Sequence, residues 1–131
     1  MESPFNTLRA KLAEPFAGVR VSRSATGEFT RVPHAPSSFA LVTLSLEPSR
    51  TFDLTFVAEP SEPGYRQGIE DGVIEYLLTQ YQRPVLGISV RIDQVVEDEL
   101  RSSYNAFKLA AQKAIAQTMD LPDGSKNIQW E

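Results

Sequence analysis

Few side chains in this sequence could carry out chemistry, and they fall in two short polar segments. The chain has one histidine and no cysteine, which excludes a thiolate nucleophile and a cysteine-based zinc or iron–sulfur centre. The histidine, His34, lies between Pro33 and Pro36, and no candidate nucleophile is tied to it by spacing. Proton transfer and a surface contact are both open to a histidine. An ordinary loop histidine is the expectation, and we predict no catalytic residue.

The second polar segment is an acidic run, Glu97-Asp98-Glu99. Adjacent carboxylates are candidate ligands for a divalent cation, but this spacing matches no EF-hand or similar loop. A solvated acidic turn is the simpler interpretation, and a docking surface for a basic partner is the alternative. No Gly-x-x-x-x-Gly-Lys-Ser/Thr phosphate loop occurs in the sequence. We therefore predict no metal site, no cofactor and no GTP binding by this chain.

The composition limits the class of protein. At 131 residues the chain fits one domain, and 41 % hydrophobic with 23 % charged residues is typical of a soluble globular protein. The net charge is −4, from 13 Lys and Arg against 17 Asp and Glu, whereas a free-standing nucleic-acid binder usually has a basic excess. No run approaches the roughly 20 apolar residues of a membrane span, and no signal-peptide pattern is evident. We expect a cytoplasmic protein with no membrane partner.

The start of the chain predicts a short helix and then strands. Apolar residues at helical spacing in residues 5–12 predict one or two helical turns within an N-terminal extension, 1–17. From Gly18 the apolar residues alternate with polar ones, and the small residues at 25–27 separate two alternating runs. This arrangement predicts a β-hairpin with its turn at 25–27.

Two further strands are predicted after this hairpin. Every second residue over 40–46 is apolar, which places those residues on one face of a strand. The same alternation over 52–56 predicts a fourth strand, ended by prolines and a glycine. The aromatic residues that we expect in the core are Phe52, Phe56, Tyr76 and Phe107.

A helix is predicted from Tyr65 to Tyr81. Gly68 and Gly72 weaken a helix interior, so we expect them at a close contact between this helix and a sheet. The residues predicted to face the core are Ile69, Val73, Tyr76, Leu77 and Tyr81, and those predicted to face solvent are Glu70, Asp71 and Glu75.

The C-terminal part predicts one more strand and a second long helix. Alternation over 86–92 predicts a strand aimed at the core, and 93–101 is predicted as a turn or a hairpin continuation. Ser102 or Ser103 is well placed as the N-cap of the following helix. Residues 121–131 are predicted as a tail. The buried stripe of the second helix is predicted as Phe107, Ala110, Ala111, Ala114 and Ile115.

This order of elements predicts an α+β fold, a two-layer, mostly antiparallel or mixed β-sheet backed by two helices.

A further set of residues carries a family pattern: Pro84-Val85, Gly87, Val90-Arg91, Ser102-Ser103 and Ala106-Phe107-Lys108-Leu109-Ala110-Ala111. Together with Tyr65 and Gly72, they resemble domain IV of the translocase elongation factor G. The resemblance covers about 18–120. It implies the fold of ribosomal protein S5 domain 2, with a left-handed βαβ crossover.

In that family the domain is the tip of a ribosomal translocase, and two loops at its far end contact messenger and transfer RNA. The corresponding loops here are 33–39 and 94–99. The first has two prolines and no arginine or glycine, and in the second Asp98 takes the place of the family's histidine. The residues that the resemblance implies as tip contacts are His34, Ser37, Ser38, Phe39, Glu97, Asp98 and Glu99.

The resemblance implies a non-catalytic binding domain associated with translation, with the ribosome or RNA as its partner. The alternative is a protein-interaction domain that kept the fold and lost the RNA-contacting loops. Carboxylates repel phosphate, so the acidic run favours a basic protein surface as the partner in that case.

Overall fold

The computed structural model describes residues 6, 8, 10, 17–19, 22–31, 38–80, 85–119 and 128–129. Over these residues the chain forms six strands and two long helices. In chain order they are β1 (Ala17–Val19), β2 (Arg23–Arg31), β3 (Ser38–Pro48), β4 (Asp53–Phe56), α1 (Pro63–Thr79), β5 (Val85–Val96), α2 (Tyr104–Met119) and β6 (Ile128–Gln129).

Strand β5 is the central strand of one mixed sheet. It pairs antiparallel with β3, which pairs antiparallel with β2. It also pairs in parallel with β1 near its start and with β4 near its middle, and β6 pairs antiparallel with β1. Helix α2 packs on β2 and β3, and α1 packs on α2 and β5. The predicted α+β class is confirmed. The β4–α1–β5 crossover joins parallel strands, and its left hand stays a prediction.

The alternation of β3 sorts its side chains between the core and solvent. Ala40, Val42, Leu44 and Leu46 are at most 1 % exposed, and the residues between them face outward. A slip of one residue in the pairing would expose this whole apolar row, so the burial fixes the register. The strand predicted over 40–46 is confirmed and is longer at both ends.

Helix α2 buries the stripe predicted for it. The five predicted residues are fully buried, and Ala106 joins them at 1 % exposure. Phe107 is the largest fully buried side chain described, and its ring centroid lies 5.0 Å from that of Tyr65. The alanines of this buried stripe leave room for α2 to approach its neighbours closely.

Helix α1 begins at Pro63, two residues before the predicted start, because the fixed φ of proline suits the first helical turn. Its described core-facing residues are buried or packed against the core, and Tyr81 lies outside the described residues. The prediction that Asp71 faces solvent is wrong, since it is 6 % exposed. Its carboxylate is tolerated there because Gln67 Nε2 and the Tyr104 hydroxyl donate hydrogen bonds to it, at 2.8 and 2.5 Å.

The turn predicted at residues 25–27 is also wrong. These residues lie in the interior of β2, and the hairpin that forms joins β2 to β3. Helix α2 crosses β2 so closely that a Cβ on Gly27 would lie 2.2 Å from the Ala110 carbonyl oxygen and 2.4 Å from the Ala114 nitrogen. The glycine is therefore required by a close approach of two backbones.

Gly68 and Gly72 mark a second close approach, to helix α2 instead of the predicted sheet. A Cβ on Gly68 would lie 2.4 Å from the Tyr104 carbonyl oxygen, and one on Gly72 would lie 2.5 Å from that of Lys108. The close packing is confirmed, but its predicted partner is wrong because α1 packs mainly against α2.

Strand β5 continues to Val96, so the first part of segment 93–101 is strand and the turn comes later. A register shift in the pairing with β3 makes Asp93 an extra residue of a bulge. The carboxylate of Asp93 accepts hydrogen bonds from the Ser45 hydroxyl and from Arg91 Nε. The polar residues of this stretch thus pair with one another on the outward face of the sheet.

The predicted extension and tail both contain ordered pieces. Within 1–17, residues 6, 8 and 10 are helical, and Leu8 belongs to the core at 6 % exposure. Within 121–131, two residues form β6. Of the helices in the described part of the chain, none is both long and apolar enough to span a membrane.

Gly27→Ala is expected to lower the free energy of unfolding by about 2 kcal/mol or more, because the added methyl meets helix backbone that cannot rotate away. Gly64→Ala is the matched control: nothing lies within 4 Å of a Cβ at that position. Alanine also favours a helix, so this control should be as stable as the wild type or slightly more stable. Urea unfolding of the three proteins measures the difference. Equal midpoints for the wild type and Gly27→Ala would contradict the close approach.

Candidate binding surface at the tip of the domain

The tip is the end of the sheet at which β3 begins, β5 ends and α2 starts. We define it by Ser38, Phe39, Ser61 and residues 97–103. At the opposite end, the start of β5 pairs with β1, which also holds β6. The tip is therefore displayed away from the first and last strands of the domain.

Phe39 is fastened to the loop between β5 and α2 through its backbone. Its N–H donates to the Arg101 carbonyl at 3.1 Å. The Ser102 hydroxyl accepts from the Asp98 N–H and donates to the Phe39 carbonyl, both at 2.8 Å. One hydroxyl thus joins the β5–α2 loop to the start of β3 and satisfies two backbone groups.

The two consecutive serines have different roles. Ser103 is the N-cap of α2, because its hydroxyl accepts the N–H of Ala106 at 3.1 Å. The N-cap predicted at Ser102 or Ser103 is therefore confirmed at Ser103. Ser102 forms the bridge to Phe39, a tertiary contact that no spacing along the sequence indicates.

Two of the three carboxylates in the acidic run bind the protein itself. Glu97 accepts hydrogen bonds from the backbone N–H and the hydroxyl of Ser61, at 2.7 and 2.5 Å. Asp98 accepts from the backbone N–H groups of Leu100 and Arg101, at 3.0 and 3.1 Å, which closes a tight turn. Glu99 is exposed. The acidic run is thus partly a structural device that fixes the loop.

Arg101 and Leu100 are tip residues that sequence reasoning missed. The Arg101 guanidinium lies over the Phe39 ring, 5.1 Å from its centroid, and its Nε is 3.6 Å from an oxygen of Asp98. Leu100 is 91 % exposed. The signal available in the sequence was an arginine and a leucine inside a polar turn. Phe39, the partner of Arg101, lies too far away in the chain to be inferred.

An apolar patch occupies the outward face of the sheet at this end. Leu41 and Val96 are cross-strand partners on β3 and β5, and Phe39 lies two residues before Leu41, on the same face. All three are partly exposed. Leu100 stands on the adjoining loop, and we call these four residues the tip patch. Outward positions farther along the sheet are polar, among them Thr26, Thr43, Ser45, Arg91 and Asp93.

The structure brings most of the predicted tip contacts together. Ser38, Phe39 and the acidic run Glu97–Glu99 meet at one end of the domain through the contacts given above. His34 and Ser37 lie outside the described residues. Among the residues that the structure describes, no group of three or more His, Asp or Glu side chains is arranged to hold a metal ion.

Beneath the tip, the first residue of α2 is locked to α1. The Tyr104 hydroxyl donates to Asp71, and this hydrogen bond, with burial and the negative charge of Asp71, raises the pKa of Tyr104 to about 12. Tyr65 donates from α1 to the Ser102 carbonyl at 3.4 Å. Burial and nearby carboxylates raise the pKa of Tyr65 as well. In their protonated forms, Tyr104 therefore joins the two helices, and Tyr65 joins α1 to the tip loop.

Comparisons with known proteins give a fold and no family. No family model matches the chain, and no curated protein matches its sequence. Among solved structures, a crystal structure of a protein from Thermus thermophilus is similar to 86 % of this chain, with a TM-score of 0.70 and 20 % sequence identity. The fold is shared. This chain spans 17 % of that longer chain, so the fold is one part of a larger protein there.

Ser102→Ala is expected to loosen the tip while leaving the core intact. Without the hydroxyl, the Asp98 N–H and the Phe39 carbonyl lose a partner, a cost of about 1 kcal/mol or more. The Phe39 amide, which bonds the Arg101 carbonyl, should then exchange its hydrogen faster, by about tenfold. Native-state hydrogen exchange measures this.

Ser103→Ala is the matched control for that experiment. It removes the helix cap on the Ala106 N–H and should speed exchange in the first turn of α2 without changing the Phe39 amide. The bridge assigned to Ser102 is wrong if the two variants have the same exchange pattern.

Tyr104→Phe is expected to change how stability depends on pH. In the folded protein the pKa of Tyr104 is about 12, against an ordinary value of 10.0. Because the folded-state pKa is the higher one, the stabilisation is fully present below about pH 10 and is lost as the pH rises from there toward 12. Urea unfolding should show a steeper loss for the wild type than for the variant over that interval. Parallel profiles for the two proteins would rule out the Asp71 hydrogen bond as the cause.

Proposed function

We propose that this chain is a non-catalytic binding domain that engages a macromolecular partner through its tip. The observation that carries the proposal is the construction of the tip. Hydrogen bonds that the Glu97 carboxylate accepts and that the Ser102 hydroxyl forms fasten three separate segments. The fastened loop displays Leu100 at 91 % exposure. A loop held by a rigid scaffold is the usual place for binding residues.

Binding is a better account of the described polar groups than catalysis. The buried carboxylate of Asp71 is engaged between two helices by Gln67 and Tyr104. At the tip, Glu97 and Asp98 accept hydrogen bonds from the backbone of their own loops. A carboxylate that acts as a general acid, a general base or a nucleophile must face a reacting group or a proton-transfer partner. Each of these acids is paired with a structural group instead.

Two classes of partner are supported by different observations. The resemblance to domain IV of elongation factor G supports the ribosome, because the observed sheet, the two helices and the β4–α1–β5 crossover are the elements that this resemblance implies. The tip patch supports a protein-interaction domain, because one exposed and three partly exposed apolar residues at one place are typical of a protein-binding surface.

Co-sedimentation with purified ribosomes at low salt tests the ribosomal partner and the tip together. We expect the wild-type protein to pellet with ribosomes and Leu100→Asp to lose most of this binding, by about tenfold or more. Leu109→Asp is the matched control, since Leu109 is 40 % exposed on α2, on the helix side of the sheet and outside the loop that carries Leu100. It should pellet like the wild type.

Each outcome of this experiment decides a part of the proposal. If the wild-type protein stays in the supernatant, ribosome association is overturned. If both leucine variants bind as the wild type does, the tip is not the binding surface. Chemical denaturation of the variants checks that they fold.

A further inference from the structure

We infer that the tip patch binds a segment of a partner protein that carries aliphatic side chains flanked by lysine or arginine. This rests on the proposed function, because it names the class of partner for the same surface. The inference depends on three features of the tip: where the apolar residues lie, which charges surround them, and how the cationic group next to them is already engaged.

Three apolar residues of β3 and β5 lie close together at one end of the outward face of the sheet. Leu41 and Val96 are opposite one another, so their side chains stand about 5 Å apart on the same face. Phe39 extends the row on β3. Leu100 lies on the loop after β5, and the carbonyl of the next residue, Arg101, accepts the Phe39 N–H. Phe39, Leu41 and Val96 lie outside the core cluster and its partly buried neighbours. The same face is polar toward the other end of the sheet, so the gathering is not a general property of the face.

Two exposed carboxylates flank this patch. Glu28, on β2, is the cross-strand partner of Leu41, and it is exposed on the outward face of the sheet. A hydrogen bond from Thr30 to its carboxylate at 3.2 Å leaves its charge in place. Glu99 is exposed next to Leu100. Lys113 reaches the Glu28 carbonyl from the helix side of β2 and so does not neutralise the outward face.

Arg101 is the basic side chain of the described tip loop, and two tip residues already contact it. Its guanidinium covers the Phe39 ring, and its charge is paired with Asp98. A nucleic acid would need free cations for its phosphates and an open ring for base stacking. The patch offers apolar surface with excess carboxylates instead, which complements an apolar segment with basic flanks.

Amide chemical-shift mapping with synthetic peptides of fixed composition tests this inference. The probe is a peptide of alternating lysine and leucine, and its two matched peptides replace either every lysine by glutamate or every leucine by serine. A uridine oligonucleotide is the fourth probe. We expect the lysine–leucine peptide to shift the amides of Leu41, Val96 and Leu100, with affinity that falls as salt is added. The two matched peptides should bind at least about tenfold more weakly.

Two variants and a control localise the binding. Val96→Thr keeps a β-branched side chain on the strand while adding a hydroxyl to the patch, and Glu28→Lys reverses the charge beside it. Each should weaken binding of the lysine–leucine peptide about fivefold to tenfold. Leu109→Ser, on α2 and away from the sheet's outward face, should bind the peptide as the wild type does.

The inference is overturned if the lysine–leucine and glutamate–leucine peptides bind equally, or if the shifted amides lie on the helices. Binding of the oligonucleotide at the tip without binding of the peptide also overturns it, while leaving the tip as the binding surface of the proposed function. If the wild-type protein binds the lysine–leucine peptide but not ribosomes, the ribosomal partner is excluded and this inference stands.

Discussion

Direct backbone contact of helix α2 with both β2 and α1 fixes the position of the elements around it. Gly27 on one side, and Gly68 and Gly72 on the other, would each place a Cβ within 2.5 Å of the α2 backbone. Attraction between packed atoms falls off within a fraction of an ångström, so contacts this close leave little freedom to slide. A shift of α2 away from one neighbour would open a gap there, and a shift toward either would produce a clash.

The geometry of the tip depends on this placement of α2. Ser103 caps the helix, and the residue before it bridges to Phe39, so the loop continues directly from a fixed helix end. A single hydrogen bond of this kind contributes only about 1 kcal/mol net. At the tip these bonds form between groups that the scaffold has already brought together, so little further conformational entropy is lost when they form. The loop can therefore hold an exposed Leu100 in one place.

The elements that were predicted correctly are those whose apolar pattern follows from burying one face against a single layer of the structure. The alternation over 40–46 and the stripe of α2 each follow from one buried face. The turn predicted at Gly27 is wrong for a different reason. A glycine inside a strand and a glycine in a turn look alike in the local sequence, and α2, which decides between them, comes much later in the chain. Asp71 is similar, since an acid on a helix is expected to face solvent unless its partner is known. That partner, Tyr104, is 33 residues away.

The tip shows why the scaffold was predictable and its surface was not. The acidic run was predicted as a solvated turn, with a docking surface as the alternative, but Glu97 and Asp98 turn toward Ser61 and the loop backbone. The tip patch combines residues from β3, β5 and the loop that follows, so no single segment contains its pattern. Because the scaffold is fixed by backbone contacts at α2, outward side chains such as Leu41 can change with little effect on the fold. A resemblance carried by the scaffold therefore indicates the shape of the domain more strongly than the chemistry of its partner.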